Sequence, residues 1–327
     1  MTINSGQARL NLEEEIVSID STEKKAPLPH PIPYQGSKRK LAGRILSLLN
    51  GHAVKNLYEP FSGSAAFTIA SASREVAQHY FINDSLRPLA ALWDMIIYQP
   101  DVLANQYSDI WSGHKRDPLD HFYIIRSQFN GDQDPAKLLY LLARCVKNAV
   151  RFNDKGEFNQ SADKRRLGTQ PARMRREIFG AHSMLSGRTT VSSVDYAELL
   201  AKATAEDIVY MDPPWQGTSG DKDTRYHQIL DMDRLIEQIA SLNCRQIPFL
   251  LSFDGRLGEK TYGVALPADL KLTKLEINAG RSSQATLAGR NDETVESLYV
   301  SERIAGNLDR IHLHPTISDA ALLDNVA

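Results

Sequence analysis

A short acidic corner that follows an apolar run constrains the fold of this chain more than any other stretch. The run Asp207–Met211 is apolar after its first residue and is long enough for one buried β-strand. Pro213 and Pro214 then forbid both helix and further sheet pairing, because proline lacks an N–H and has a fixed φ. The strand must therefore stop with Asp212 at its carboxyl end, and the indole of Trp215 follows three residues later. In an open parallel α/β sheet this edge is where ligands bind, so the corner predicts a site.

The corner suits the recognition of a flat base that carries an exocyclic amine. The indole of Trp215 can stack on the face of the base, a contact worth about 1–3 kcal/mol. The carboxylate of Asp212 and the carbonyl of Pro213 can each accept a hydrogen bond from the amine, which frees its lone pair for attack. The alternative interpretation is a strand followed by an ordinary Pro-Pro turn, with Trp215 in the core.

Composition places the chain among large globular proteins that have no strongly charged surface. It has 327 residues, of which 42% are hydrophobic, and this suits one large domain with an insertion or two domains. The net charge is -2, so any contact with nucleic acid depends on local clusters. Cys145 and Cys244 form no CxxC pair, which argues against zinc and favours a reducing cytoplasm. No apolar run approaches the roughly 18–20 residues that a membrane span requires, so we expect a cytoplasmic protein.

A strand–turn–helix unit before the corner indicates a nucleotide-type ligand that carries no phosphates. A predicted strand ends at Tyr58, Phe61–Ser64 form a turn of small residues, and the pattern of Ala65–Ala72 predicts a helix. The turn contains one glycine, Gly63, and not the GxGxxG pattern that cradles a pyrophosphate. Glu59, at the end of the strand, is suited to receive a positively charged group.

Two further groups are placed to contact such a ligand. Tyr80–Ile82 form a second predicted strand, and Asp84 follows it at a position where an acid commonly binds ribose hydroxyls. Capping of the next helix is the alternative role for Asp84. The basic turn Lys38–Lys40 opposes the dipole of a helix that we expect Ser37 to cap, which favours a nearby anion such as a ligand carboxylate. A solvated basic turn is the alternative there.

The alternation of strands and helices is interrupted, which predicts an inserted segment. Residues 98–176 have a charged, helical pattern, whereas predicted strands return at Val191–Val194, which leads into Asp195, at Ile247–Gly255 and at Ser297–Val300. The predicted organisation is a flexible arm at residues 1–26, an α/β domain at residues 27–97 and 177–303, a helical insertion at residues 98–176 and a tail at residues 304–327.

The inserted segment carries a basic island within a slightly acidic protein. Residues 144–176 contain ten lysine or arginine residues and three acidic ones. Amides and aromatic rings are interleaved with these cations, a mixture that suits phosphate neutralisation and contacts to base edges. A solvated helical face is the alternative interpretation. The candidate nucleic-acid contacts are Lys147, Asn148, Arg151, Asn153, Lys164, Arg165, Arg166, Arg173 and Arg175.

The motifs and their order resemble those of the DNA adenine methyltransferases of the Dam and DpnM type. The resemblance covers about residues 30–303 and rests on YQGSKRKL, LYEPFSGSAAF, FINDSLRPL, RCVKNAVRFNDKGEFN, DPPW, RYHQILDMDRL and NAGRSSQATLAGRNDETVESLYVS. It implies a Rossmann-like α/β fold with a mixed sheet and a mainly helical target-recognition insertion. It also implies that S-adenosylmethionine (SAM) donates a methyl group to the exocyclic amine of adenine in double-stranded DNA.

The resemblance assigns roles to individual residues. The target adenine would flip out of the duplex into a pocket whose catalytic residues are Asp212, Pro213, Pro214 and Trp215. Neither a metal nor a covalent nucleophile is expected, because the sulfonium of SAM is already an activated leaving group. A cognate restriction endonuclease is one candidate partner. The implied cofactor contacts are Tyr34, Lys38, Glu59, Pro60, Phe61, Ser62, Gly63, Ser64, Asp84, Asp195 and Asp212.

Departures from the family pattern leave the acceptor and the target sequence open. Ala65 stands where the family has a second glycine, and Trp215 stands where it has tyrosine. Methylation of RNA adenosine and a catalytically inactive DNA-binding relative are therefore the alternatives. Asp212 favours adenine over a protein amide as the acceptor, because protein glutamine methylases usually carry asparagine at this position.

Overall fold

Strands and helices are both present in the part of the chain that the computed structural model describes. This part comprises residues 27–49, 52–113, 117–214, 230–257, 260–262, 266–281 and 293–306. Apart from Pro27, these residues belong to one unit, Leu28–His314. The strands are β1 Val54–Glu59, β2 Ala77–Asn83, β3 Thr189–Ser192, β4 Ile208–Met211, β5 Phe249–Leu257, β6 Lys260–Tyr262, β7 Thr273–Arg281 and β8 Glu293–Val300. The α-helices are α1 Ala42–Ser47, α2 Ala66–Ala72, α3 Arg87–Tyr98, α4 Pro100–Ser112, α5 Pro118–Asp132, α6 Pro135–Arg144, α7 Pro171–Leu185, α8 Tyr196–Leu200, α9 Met232–Cys244 and α10 Glu302–Ala305.

The strands form one mixed sheet in the order β3-β2-β1-β4-β5-β8-β7, with β6 paired to β5. Neighbours from β3 to β5 are parallel, whereas β8 runs antiparallel to both β5 and β7. This arrangement confirms the expected Rossmann-like methyltransferase fold. The strand order reverses between β1 and β4, because β2 extends the sheet on one side of β1 and β5 extends it beyond β4. The carboxyl ends of β1 and β4 therefore meet at a switch point, where open α/β sheets bind ligands.

Apolar runs in the sequence become the central strands of the sheet. All four residues of β4 are buried, and Leu57, Tyr80 and Ile82 of β1 and β2 are completely buried. The strand expected at Val191–Val194 is placed two residues too late, since β3 begins at Thr189. Its β-branched threonines pair with β2, and the chain has left the ladder by the time it reaches Val194.

Helices α4 to α7 occupy the segment in which the sequence predicts a helical insertion. Their large side chains, such as Tyr107, Phe122 and Tyr140, lie in the same apolar cluster as Leu57 of the sheet. Helix α7 also continues past the expected boundary at residue 176. The helical content is confirmed, and a separate target-recognition unit at residues 98–176 stays a prediction. No helix within the described ranges is long and apolar enough to span a membrane.

Candidate active site

The acidic corner lies at the carboxyl end of β4, between β1 and β5. Asp212 follows the last buried residue of the strand and is itself partly buried. Pro213 and Pro214 then carry the chain out of the sheet, as their missing N–H groups require. Trp215 lies outside the described residues, so its stacking role stays a prediction.

A buried lysine, Lys38, contacts the acid of this corner. The Nζ atom of Lys38 lies 2.9 Å from Oδ1 of Asp212 and 3.4 Å from Oε2 of Glu296. Only 7% of the Lys38 side chain is exposed, whereas Arg39 and Lys40 face solvent. Burial alone would lower the pKa of Lys38, but the two carboxylates outweigh burial and raise the pKa, so the ammonium stays charged. An anion therefore sits beside the basic turn, as the sequence predicts, but the protein itself supplies it.

The carboxyl group of Asp212 titrates close to neutrality. Burial raises its pKa to about 6; Lys38 opposes this rise, and Glu296 adds to it. The group is therefore mostly ionised at pH 7 to 8. An ionised carboxylate only accepts hydrogen bonds, so Asp212 accepts from Lys38 and would also act as the acceptor in a contact with a substrate amine.

Glu59 ends β1 as a second buried carboxyl group. Its Oε2 atom accepts hydrogen bonds from the backbone N–H and the hydroxyl of Thr68 in α2, at 3.0 and 2.5 Å. Burial nevertheless raises the pKa of Glu59 to about 8, so the group is mostly protonated at pH 7. A cation beside Glu59 would favour its ionised form, which is consistent with the predicted role of this residue.

The turn after β1 is fixed around Gly63. This glycine has a φ of +47°, and a Cβ atom in its place would lie 3.1 Å from the ring of Tyr34. Its N–H donates to Oδ2 of Asp84 at 3.0 Å, and its carbonyl accepts from Nε1 of Trp93 at 2.9 Å. The neighbouring Ser62 hydroxyl is buried and has no hydrogen-bond partner among the described residues.

The positions that flank this turn differ from the sequence-based expectation. The Ser37 side chain does not cap a helix; its hydroxyl accepts a hydrogen bond from Ser64 at 2.8 Å. This contact links the basic turn to the glycine turn. Ala65 has a φ of +44°, a left-handed conformation that costs a non-glycine residue about 1–2 kcal/mol. This strained position is the one at which the family pattern has a second glycine.

Asp84 joins the ends of β1 and β2. Besides holding Gly63, its carboxylate accepts a hydrogen bond at Oδ1 from the N–H of Leu86, at 2.9 Å. This bond forms a turn just before α3 and is not a helix cap, because α3 has no side-chain capping bond. Burial raises the pKa of Asp84, and the bonds from Leu86 and Gly63 oppose the rise. Its contact with a ribose stays a prediction.

Asn83, which the sequence analysis does not single out, ties three loops of the site together. Its amide nitrogen donates to the carbonyls of Pro60 and Val194, both at 3.1 Å. Its amide oxygen accepts from the hydroxyl of Ser192 at 2.8 Å and from the N–H of Val194 at 3.0 Å. An asparagine placed directly after the apolar run Tyr80–Ile82 and directly before an acid is the signal that could have found it.

Asp195 follows β3 and is already paired within the protein. It caps α8 by accepting from the N–H of Ala197, and its two oxygens accept from Arg234 at 2.6 and 2.8 Å. The guanidinium of Arg234 also lies 5.3 Å from the ring of Tyr196, which packs 5.0 Å from the ring of Phe61. A contact between Asp195 and the cofactor therefore competes with a bidentate ion pair, and it stays a prediction.

Part of the basic island is anchored by a buried arginine. Arg144 donates to the carbonyls of Pro118 and Asp163, at 3.0 and 3.1 Å, and to the carbonyl of Arg166. Hydrogen bonds from the backbone and side chain of Arg165, together with Arg166, hold the pKa of Asp163 at about 2. The side chains of Arg165 and Arg166 nevertheless remain 75% and 49% exposed, so both can still meet a phosphate.

The other candidate DNA contacts fall into two groups. Lys147 and Lys164 are exposed, and Arg151 is half-buried. The amides of Asn148 and Asn153 are used inside the fold, where the first donates to a carbonyl of α6 and the second closes the turn at residues 153–157. Contacts between these residues and DNA stay predictions.

Arg173 and Arg175 on α7 form ion pairs with neighbouring helical residues. Arg173 lies 3.4 Å from Glu177, one turn further along the same helix. Arg175 donates to Asp101 at 2.7 Å and to Asn105 at 3.0 Å, both on α4. These bonds join α4 to α7 and favour a structural role for Arg175.

The sheet order, the glycine turn after β1 and the acidic proline corner after β4 together define the class of Rossmann-like methyltransferases. Within that class, the chain belongs to the D12 class N6 adenine-specific DNA methyltransferases, whose family model matches residues 34–276. The resemblance seen in the sequence is thereby confirmed. Within the described parts of the chain, no group of three or more His, Cys, Asp or Glu residues is arranged to hold a metal ion.

Three relatives are similar to this chain at low sequence identity. The chain is 25% identical over 305 residues to the modification methylase StsI of Streptococcus sanguinis. This match covers 89% of this chain and 45% of that protein. It is 26% identical over 207 residues to the DNA adenine methylase of Escherichia coli strain K12 (60% of this chain, 70% of that one). It is 25% identical over 206 residues to the DNA adenine methylase of Serratia marcescens, and this match covers 60% of this chain and 73% of that protein. The chain thus matches less than half of the modification methylase.

Proposed function

We propose that this chain transfers a methyl group from SAM to the exocyclic amine of adenine in double-stranded DNA, after the base has flipped out of the duplex. The observation that carries the proposal is the corner itself. A partly buried acid, Asp212, stands at the switch point of the sheet, held by Lys38 at 2.9 Å and followed by two prolines. This supplies two fixed hydrogen-bond acceptors, a carboxylate and a proline carbonyl, where the family carries out its chemistry.

The residues around the turn after β1 fit the cofactor. The buried Ser62 hydroxyl lacks a partner among the described residues, and Gly63 keeps clear the space next to Tyr34 that a side chain would fill. Asp84 places a carboxylate beside that turn. When bound, SAM supplies a methyl group that is activated by its positive sulfonium. The residues that would hold it are Tyr34, Lys38, Glu59, Pro60, Phe61, Ser62, Gly63, Ser64, Asp84, Asp195 and Asp212.

The charges at the corner favour a cationic ligand. Lys38 contributes one positive charge, whereas Asp212 and Glu296 contribute two negative charges, so the buried cluster is negative at pH 7 to 8. Glu59 adds a carboxyl group that can ionise when a cation approaches. Interactions of this kind are strong in a buried site because little water screens them.

The corner then positions the acceptor base. Flipping an adenine out of the duplex costs a few kcal/mol, which contacts inside the pocket must offset. The carboxylate of Asp212 and the carbonyl of Pro213 each accept a hydrogen bond from the amine, and Trp215 stacks on the ring. With a pKa of about 6, Asp212 can also take up the proton that the amine loses.

The test is a methyl-transfer assay with tritiated SAM and three acceptors: DNA, RNA and protein. We expect label in DNA, with the amine of adenine as the modified group. Asp212→Asn should lower kcat by about 10²–10⁴-fold, the range expected for the loss of a positioned acid–base group. Asp233→Asn, an exposed acid in the first turn of α9, is the matched control. Full turnover by Asp212→Asn, or label in RNA or protein alone, would refute the proposal.

Expression in a host that lacks adenine methylation identifies the target sequence. Modification-sensitive sequencing of the plasmid should reveal methyladenine in one sequence context. A cognate endonuclease, which we propose as a candidate partner in keeping with the modification methylase among the relatives, would cleave the same context only when it is unmodified.

A further inference from the structure

A carboxylate from the antiparallel half of the sheet reaches the corner. Glu296 lies on β8, which is separated from β4 by β5. The ladder between β5 and β8 is interrupted by a bulge, because Ser252 pairs with Leu298 but Gly255 pairs with Glu296. Such bulges bend a strand and redirect side chains, often beside an active site. The Oε2 atom of Glu296 thus comes within 3.4 Å of the ammonium of Lys38.

This oxygen of Glu296 has unused capacity to accept a hydrogen bond. It is buried, and no residue in the described ranges donates a hydrogen bond of good geometry to it. Lys38, by contrast, holds Asp212 at 2.9 Å. The ammonium therefore lies between two acids, close to one and within reach of the other, on a flexible stem with three N–H donors.

We propose that Glu296 is a positioning residue, which takes over the ammonium of Lys38 when the carboxylate of Asp212 turns to the substrate amine. This inference rests on the proposed function, because the amine is that of the flipped adenine. Without Glu296, the ammonium of Lys38 would lose one of the two carboxylates within its reach, and its release from Asp212 would therefore cost more. With Glu296 present, Lys38 keeps a partner while Asp212 accepts a new donor.

Glu296→Gln removes the charge and keeps the shape of the side chain. We expect kcat to fall about 10- to 100-fold, the range for one lost charge-assisted hydrogen bond, while KM for DNA changes little. Glu276→Gln is the matched control: Glu276 is an exposed residue of β7 that pairs with Ser297, on the face of the sheet opposite to Glu296. Glu296→Asp keeps the charge on a shorter stem and should restore part of kcat.

A second measurement does not depend on activity. The carboxyl carbon of Asp212 is titrated by nuclear magnetic resonance in the wild type and in Glu296→Gln, and its signal is identified by its loss in Asp212→Asn. Within the described ranges, the titratable groups that face Asp212 are Lys38, Glu296, Glu59 and Tyr210. Loss of the Glu296 charge removes a repulsion that raises the pKa of Asp212, so this pKa should fall.

The two measurements separate the possible failures. A lowered pKa of Asp212 together with a lowered kcat supports the role of Glu296. An unmoved pKa, or a kcat equal to that of Glu276→Gln in an active enzyme, overturns it. If the wild type methylates no acceptor although the pKa moves, the proposed function fails, and the positioning role fails with it.

Discussion

Replacement of Lys38 by methionine tests the electrostatics of the corner most directly. The substitution keeps a flexible side chain of similar length but removes the cation that lies 2.9 Å from Asp212 and 3.4 Å from Glu296. Two partly buried carboxylates then face each other without the Lys38 cation. Removal of one partner of a buried ion pair typically costs about 3–5 kcal/mol, and we expect a loss of free energy of unfolding in that range at pH 8.

The loss should depend on pH in a defined direction. The pKa of Asp212 is raised in the folded protein, from an ordinary value of 3.8 to about 6. A carboxyl group of this kind contributes stability that is complete below its unfolded pKa and is lost as the pH rises through its folded pKa. Removal of Lys38 raises the folded pKa of Asp212 further, so the destabilisation should be larger at pH 8 than at pH 5.5.

Urea denaturation at the two pH values measures this difference. Lys40→Met is the matched control, because Lys40 belongs to the same basic turn but is exposed, and its substitution should change stability by less than about 0.5 kcal/mol. Equal stability of the two variants at pH 8 would refute the electrostatic account. A destabilisation of Lys38→Met that does not vary with pH would instead point to lost packing.

Three further results are expected. Gly63→Ala should lower the free energy of unfolding by about 1–2 kcal/mol and weaken SAM binding in calorimetry, because φ is +47° and the new Cβ meets Tyr34; unchanged SAM affinity would contradict this. The free energy of unfolding of the wild type should fall as the pH rises from 4.5 through about 8, and Glu59→Gln should reduce this fall. If urea denaturation shows the same pH dependence for both proteins, the pKa of Glu59 is not raised. Lys164→Ala should reduce the slope of log binding constant for DNA against log salt concentration by about one unit. Arg175→Ala should instead lower the free energy of unfolding and leave that slope unchanged. The reverse pattern would place the DNA interface on α7.

The parts of the site that the sequence predicts are those that depend on short-range patterns. An apolar run stopped by two prolines fixes Asp212 at the end of β4, and a small-residue turn after β1 fixes Gly63. The acid after β2, Asp84, follows from the same reasoning. Each of these conclusions needs only a strand of known direction and a residue that ends it.

The parts that the sequence does not predict depend on contacts between distant strands and helices. Glu296 reaches Lys38 only because β8 lies two strands from β4 and the ladder to β5 is bulged. Arg175 is a strong candidate for DNA by composition, yet its partner on α4 is 74 residues away in the chain. The sequence shows the charge of each side chain, but the packing of distant helices and strands decides which residue it pairs with.

One short segment, Tyr34–Lys38, joins the three parts of the proposed site. The ring of Tyr34 packs against the glycine turn, and Lys38 holds Asp212. Between them, the N–H of Gln35 donates to the carbonyl of Asn148 in the basic island, at 3.0 Å. The proposed cofactor turn, the proposed catalytic acid and the loop proposed to meet DNA are therefore held by residues no more than four positions apart.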